Sequence, residues 1–167
     1  MKHANIQVVK YRRKREGKTN YKKRIGLVTS KRTRLVIRKT LSKIIAQLID
    51  FKLEGDIVKL GVTSDELTKL GWKGSVKNIP ATYMTGYLIG KRAQKNKINS
   101  AILDIGLNTS IPGVRIYAAL KGAIDSGLKI EASEEIFPSE DRINGKHIQN
   151  FGNNLEDIKK KIDESEK

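Results

Sequence analysis

An α/β domain, a mixed sheet with helices packed on it, is what this sequence predicts, and three observations lead there. Three short apolar runs between residues 34 and 63 are separated by polar breaks; a helical stripe runs from 81 to 95; and a strand-like run followed by a second helical stripe fills 99–127. Short breaks between the first three runs make them a three-stranded antiparallel meander. If the helix at 81–95 crosses over from the third strand, the helix-strand-helix unit that follows places its strand parallel to a neighbour, so the sheet is mixed. The domain spans residues 34–128, with an extended basic N-terminal arm over 1–33 and a C-terminal extension over 129–167.

In the first strand, Leu35 and Ile37 alternate with Arg34, Val36 and Arg38, so one face packs and the other stays basic. Residues 44–51 (IIAQLIDF) are apolar on both faces except Gln47 and Asp50, which suits a central strand. The segment Glu54-Gly55-Asp56 reads as a turn, and residues 57–63 alternate again, with Val58, Leu60 and Val62 inward and Lys59 outward. Ser64-Asp65-Glu66-Leu67 reads as a cap and the start of a brief helix ending near Gly71.

Trp72, the single tryptophan, stands in GWKG beside Lys73, with Lys77 close behind. Two readings are open: the indole plugs one end of the core, or it offers a stacking platform to a base or ribose. Pro80 suits the first turn of a helix. In residues 81–95, Ala81, Met84 and Leu88 form one stripe, and Gly86, Gly90 and Ala93 form a stripe of small residues that predicts close approach to the sheet. A strand over 99–106 and a loop over 107–113 lead to a helix whose stripe is Val114, Tyr117, Leu120 and Ile124, with Gly127 where a C-cap belongs. Beyond it, residues 129–167 hold 7 Lys+Arg and 10 Asp+Glu with sparse apolar side chains, an extension rather than core. There Asn154 caps a short final helix with Leu155, Ile158 and Ile162 on one side.

Charge is distributed unevenly. Residues 1–40 hold 15 Lys+Arg against the single acid Glu16, whereas residues 41–167 hold 19 against 17, so nearly all of the formal +16 lies at one end. The stretch from Tyr11 to Lys39 has too little apolar side chain to offset the roughly 1–2 kcal/mol per residue that backbone ordering costs, and like charges hold it extended until a polyanion neutralises it. Nucleic acid is the expected partner, and Tyr11 and Tyr21 among the cations tilt this toward RNA, whose unpaired bases stack on such rings. A solvated tail or a lipid-surface segment are the alternatives, but residues 10–24 have no apolar face at helical spacing for a bilayer.

The other function classes are thinly supported. With no cysteine, thiol catalysis, disulfides and thiolate metal sites are excluded, and His3 and His147 are too far apart in sequence to suggest zinc. The short apolar run at 6–9 is far below a signal-peptide core, and no stretch approaches the ~20 apolar residues of a membrane span, so a cytoplasmic protein is expected. Asp50 and Asp104 each end an apolar strand, and two such carboxylates brought together would allow a magnesium-dependent nuclease. No phosphate-binding loop, nucleophile elbow or zinc-protease motif is present. The loop GLNTSIPG before a helix reads as a plain connection, although free amides there would suit a phosphate.

Read in order, YRRKREGKTNYKKR, RLVIRKTLSKIIAQLID, GWKGSVKNIPATYMTGYLIGKRA, AILDIGL, VRIYAALKGAIDSGL and EEIFPSEDRINGKHI resemble large-subunit ribosomal protein eighteen, a family that binds 5S ribosomal RNA. The REGKTNYKKR arm and the EEIFPSEDR extension resemble its archaeal and eukaryotic branch. The resemblance implies a structural ribosomal protein without catalysis, cofactor, metal or small-molecule substrate. It also implies attachment of 5S RNA to 23S-type RNA in the central protuberance, beside neighbouring large-subunit proteins. Arg12, Arg13, Lys14, Arg15, Lys18, Tyr21, Lys22, Lys23 and Arg24 match the family's basic arm, and Arg34, Arg38 and Lys39 its basic first strand. With Tyr11, Lys31 and Arg32 from the same block, these are the expected RNA-binding residues.

Overall fold

Four strands and the helices on them account for the domain in the computed structural model, which describes residues 9–149 and 151–166. Strands β1 (Arg34–Lys39), β2 (Ile44–Asp50) and β3 (Ile57–Thr63) form the antiparallel meander, and β4 (Ile102–Asp104) lies parallel to β1, giving the order β3-β2-β1-β4. The mixed sheet is as expected. Its fourth strand is shorter than the sequence suggested, pairing only Arg34–Ile102, Leu35–Leu103 and Val36–Asp104, with an isolated bridge between Ser100 and Lys129 beyond it.

Before the meander come α1 (Arg12–Arg15) and α2 (Tyr21–Thr29); between it and β4 come α3 (Glu66–Lys69) and α4 (Ile79–Lys95), and after β4 come α5 (Arg115–Asp125), a 3₁₀ turn at Glu134–Ile136, α6 (Glu140–Ile143) and α7 (Leu155–Ser165). Helix α4 starts where its sequence allows: the Asn78 side chain accepts from Ala81 N at 2.9 Å, and Pro80 occupies the first turn, where its missing N–H costs nothing. Leu35, Ile37, Ile44, Ala46, Leu48 and Val62 on one sheet face meet Met84 and Leu88 of α4 and Ile116 and Leu120 of α5 in the core.

The glycine stripe of α4 serves a different neighbour from the one expected. A Cβ on Gly86 would strike the backbone of Ala119, one on Gly90 the Ser126 side chain, and one on Gly122 of α5 the Tyr83 carbonyl. Small residues on both helices thus let α4 and α5 approach backbone to backbone, and it is this helix pair, not the sheet, that needs them.

Three other expectations are corrected. In β3, Leu60 pairs with Leu48 but Val58 pairs with Ile49, so Lys59 is the extra residue of a bulge. A bulge reverses the alternation, which leaves Val58 49% exposed at the edge of the sheet instead of inward. The C-terminal extension, though rich in charge, contributes to the core: Ile143, Leu155, Ile158 and Ile162 are all buried in it. Three apolar side chains at helical spacing on α7, with Ile143 from α6, suffice because α4 offers a second apolar face to cover.

Helix α7 is fixed there by Asn154 accepting from Glu156 N at 3.1 Å, and by Arg92 of α4 bridging Glu66 and Glu166, each at 2.7 Å. Lys91 pairs with Asp163 at 3.0 Å, and Lys159 lies over the rings of Tyr83 and Tyr87. Burial pushes the Tyr83 phenol up, as does the hydrogen bond it donates to Asp125 at 2.8 Å.

The third correction concerns the arm. It is not extended throughout: α1 and α2 are helical, and α2 lies on the outer face of the sheet with Tyr21, Arg24, Leu27 and Val28 half-buried beneath it. Asn20 caps α2 by accepting from Lys23 N at 3.2 Å. Residues 1–8, which include His3 and most of the short apolar run at 6–9, lie outside the described residues.

Candidate nucleic-acid interface

What holds α2 against the sheet is a carboxylate to which the sequence assigned no partner, Asp56, in a cluster that Asp104 completes from the other side of Arg34. Arg24 Nη2 donates to both oxygens of Asp56 at 2.9 Å, Arg34 Nη2 lies 2.8 Å from Asp56 Oδ2, and Arg34 Nη1 donates to Asp104 at 2.9 Å. Arg34 is 2% exposed. Its Nη2 is close enough to Asp56 for an ion pair but not aligned for a good hydrogen bond, and its Nε has no acceptor. Two acids against two guanidinium groups make the cluster neutral, which is what permits a charge to sit there at all. Burial on its own would raise the Asp56 carboxyl, but the Arg34 and Arg24 guanidinium groups beside it outweigh that and hold it below its ordinary value.

Arg34 is therefore withdrawn from the expected RNA-binding set. Strand alternation correctly put it on the outer face, but α2 covers that face, and with it Val36, which is buried too. Arg24 retains a partly exposed guanidinium and serves chiefly as the anchor of the arm. No local signal gives this away: Asp56 stands between Lys52 and Lys59 in sequence, yet its partners are the distant Arg24 and Arg34.

The remaining candidates face outward. Arg12, Arg13, Lys14 and Arg15 make up all of α1, which buries nothing. Of these, Arg12 lies 3.5 Å from Glu16, and Lys18 pairs with the same acid at 2.9 Å, while Arg13 Nε donates to Thr19 at 2.8 Å. Lys22 and Lys23 occupy the exposed side of α2. The Tyr11 and Tyr21 rings lie 5.3 Å apart, tilted by 50°, and Tyr11 is 74% exposed, so one aromatic face is open to a base while the pair stiffens the start of the arm.

Lys31, in a left-handed turn with φ 54°, and Arg32, 3.4 Å from Glu131, are exposed where the arm enters β1. Arg38 and Lys39 are exposed at the far end of that strand. Between the arm and the outer sheet face runs a cleft of about 510 Å³ on which Arg13, Lys18, Lys23, Arg38 and Lys39 converge.

Two alternatives from the sequence lose their geometry. Trp72 is 3% exposed, donates its indole N–H to Ser75 O at 3.2 Å and meets the Phe151 ring edge-on, so it plugs the core and presents no platform. Asp50 accepts from Thr33 at 2.7 Å and pairs with Lys59 at 2.6 Å, and Asp104 is held by Arg34 and by Gly106 N. Both carboxylates serve the fold, and among the described residues no three metal-ligating side chains come together.

Comparison with known proteins is consistent with this reading. The model of the family described as ribosomal large subunit proteins 60S L5 and 50S L18 matches residues 6–100 and 92–133. A large ribosomal subunit protein uL18 from Korarchaeum cryptofilum (strain OPF8) is 52% identical over 149 residues, spanning 89% of this chain and 76% of that protein. Another from Methanoregula boonei (strain DSM 21154 / JCM 14090 / 6A8) is 46% identical over 157 residues, spanning 94% and 90%. A basic arm seated on a small α/β body is what a structural constituent of a ribonucleoprotein needs, and the chain belongs to this family of ribosomal large subunit proteins.

Proposed function

We propose that this chain binds 5S ribosomal RNA and helps attach it to the 23S-type RNA of the large subunit in the central protuberance, beside neighbouring large-subunit proteins on the cytoplasmic ribosome. The observation that carries this is the cationic cleft between arm and sheet: five exposed Lys and Arg side chains converge there from α1, the loop after it, α2 and the end of β1. The domain is the platform. Helix α2 is already seated on it, so α1 and the residues before it are what remains to settle on RNA.

RNA helices present a wide, shallow minor groove and are recognised by shape, so phosphate contacts position the protein and a base stacked on Tyr11 adds selectivity. Engaging roughly six phosphates gives a log-log salt slope of about −4 to −5. The test is competition. Labelled 5S RNA bound at physiological ionic strength is expected to resist excess tRNA and duplex DNA and to show that slope. Displacement by either competitor would make this a general nucleic-acid binder, and a slope near zero would remove the electrostatic basis.

A further inference from the structure

A second groove, of about 750 Å³, opens on the other side of the end of β1. Four cations line it from four separate stretches of the chain: Lys39 at the end of β1, Lys77 before α4, Arg115 in the first turn of α5 and Arg142 in α6. No aspartate or glutamate lines it, and among the described residues none of the four cations lies within ion-pair distance of a carboxylate. Arg115 Nη1 donates to Lys77 O at 3.1 Å and Lys77 Nζ to Leu41 O at 3.4 Å, so backbone carbonyls, not acids, hold these side chains in position.

The arm cleft is built differently, since there Asp56 and Asp104 balance Arg24 and Arg34. The groove gathers exposed and half-buried cations from separate stretches with no acid among them, an arrangement complementary to an anionic ligand. Val114, the residue before α5, supplies no side-chain cap, and of that helix's first residues Arg115 and Ile116, which precede the first bonded amide at Tyr117, line the groove.

Lys39 lines both the cleft and the groove, so the two are one continuous cationic track around the end of β1. From this we infer that the groove is a second phosphate-binding site for RNA, and that an RNA backbone lying along the arm cleft continues past Lys39 onto Lys77, Arg115 and Arg142. Arg142 lies beyond the residues matched by the family model, so the C-terminal segment would take part in binding RNA as well as in closing the core. The inference rests on the proposed RNA-binding function.

The full chain carrying Lys77→Gln, Arg115→Gln and Arg142→Gln is compared with wild type and with Lys14→Gln/Arg15→Gln/Lys22→Gln in the arm, using labelled 5S RNA across a salt series. Every phosphate that is no longer neutralised flattens the slope by about 0.7–0.9, so the groove variant is expected to be flatter by about 2 and at least tenfold weaker near physiological salt. Combining both triple variants should add their effects on the slope, because they engage different phosphates. Thermal unfolding checks the fold, and Arg142→Gln alone, an exposed substitution, should flatten the slope by about 0.8 if the triple variant is unstable.

Wild-type affinity and slope in the groove variants, with the arm variant weakened, would overturn the inference while leaving the proposed function standing. That result would leave the groove to an acidic protein neighbour. Failure of wild-type protein to bind 5S RNA would bring down both.

Discussion

Asp56 is the residue on which the attachment of the arm turns. Its carboxyl is held below the ordinary value of 3.8, so between the two values the unfolded chain binds a proton that the folded chain does not. This contribution to stability is therefore fully present above about pH 4 and disappears as the pH falls through the depressed folded value. In an acid titration followed by thermal unfolding, Asp56→Asn should lose this part of the pH dependence. At neutral pH it should destabilise by about 3 kcal/mol, because Arg34 stays buried with one partner fewer. Asp50 is depressed as well, by Lys59 and Thr33 acting against its burial, so some acid sensitivity remains in the variant.

Trp72 makes the opposite case, a residue whose surroundings are ambiguous in sequence and plain in the fold. Trp72→Ala should cost about 3–5 kcal/mol and leave RNA affinity at unchanged folded fraction as it was. Weaker RNA binding with an unaltered unfolding midpoint would reinstate the stacking role. A tryptophan between glycine and lysine fits both a core plug and a stacking surface. Its burial, the bond to Ser75 O and the Phe151 ring, brought from far along the chain, resolve it.

At the level of elements, those with strong periodicity are legible: β1, β2, α4, α5 and α7 all lie where alternation, helical stripes, Pro80 in a first turn and the caps Asn154 and Gly127 put them, while the cap at Asn78 is shown only by the fold. What alternation cannot carry is a bulge, since one extra residue at Lys59 reverses the faces of the residues before it. Nor can it say which surface a small-residue stripe meets. Gly86 and Gly90 read alike whether the neighbour is a sheet or a helix, and it is Gly122 on α5 that completes the answer.

The arm misleads for another reason: its local charge says nothing of the distant acids that fold back to it. Deleting residues 1–19 should accordingly leave a folded protein with α2 still seated by Arg24, but with much weaker 5S RNA binding. Affinity equal to that of the full chain would move the principal RNA contact away from α1.

For the molecule as a whole, the segregation of charge is visible in the sequence, since 15 of the 34 Lys+Arg lie in residues 1–40 with a single acid. The position of those cations on a surface is not, because Arg24 and Arg34 turn inward while Lys77, Arg115 and Arg142, scattered through a nearly neutral body, gather on one side. Net charge along a chain thus points to the partner's class and to only part of its footprint.

The seating of α2 bears on how such a protein meets its RNA. Nine residues that would otherwise each give up about 1–2 kcal/mol of backbone freedom on binding are already helical and tied to the domain through Arg24 and Asp56. The leading helix consequently starts from a hinge of known direction, and encounter becomes a short local search by a tethered lever instead of the capture of a loose thread.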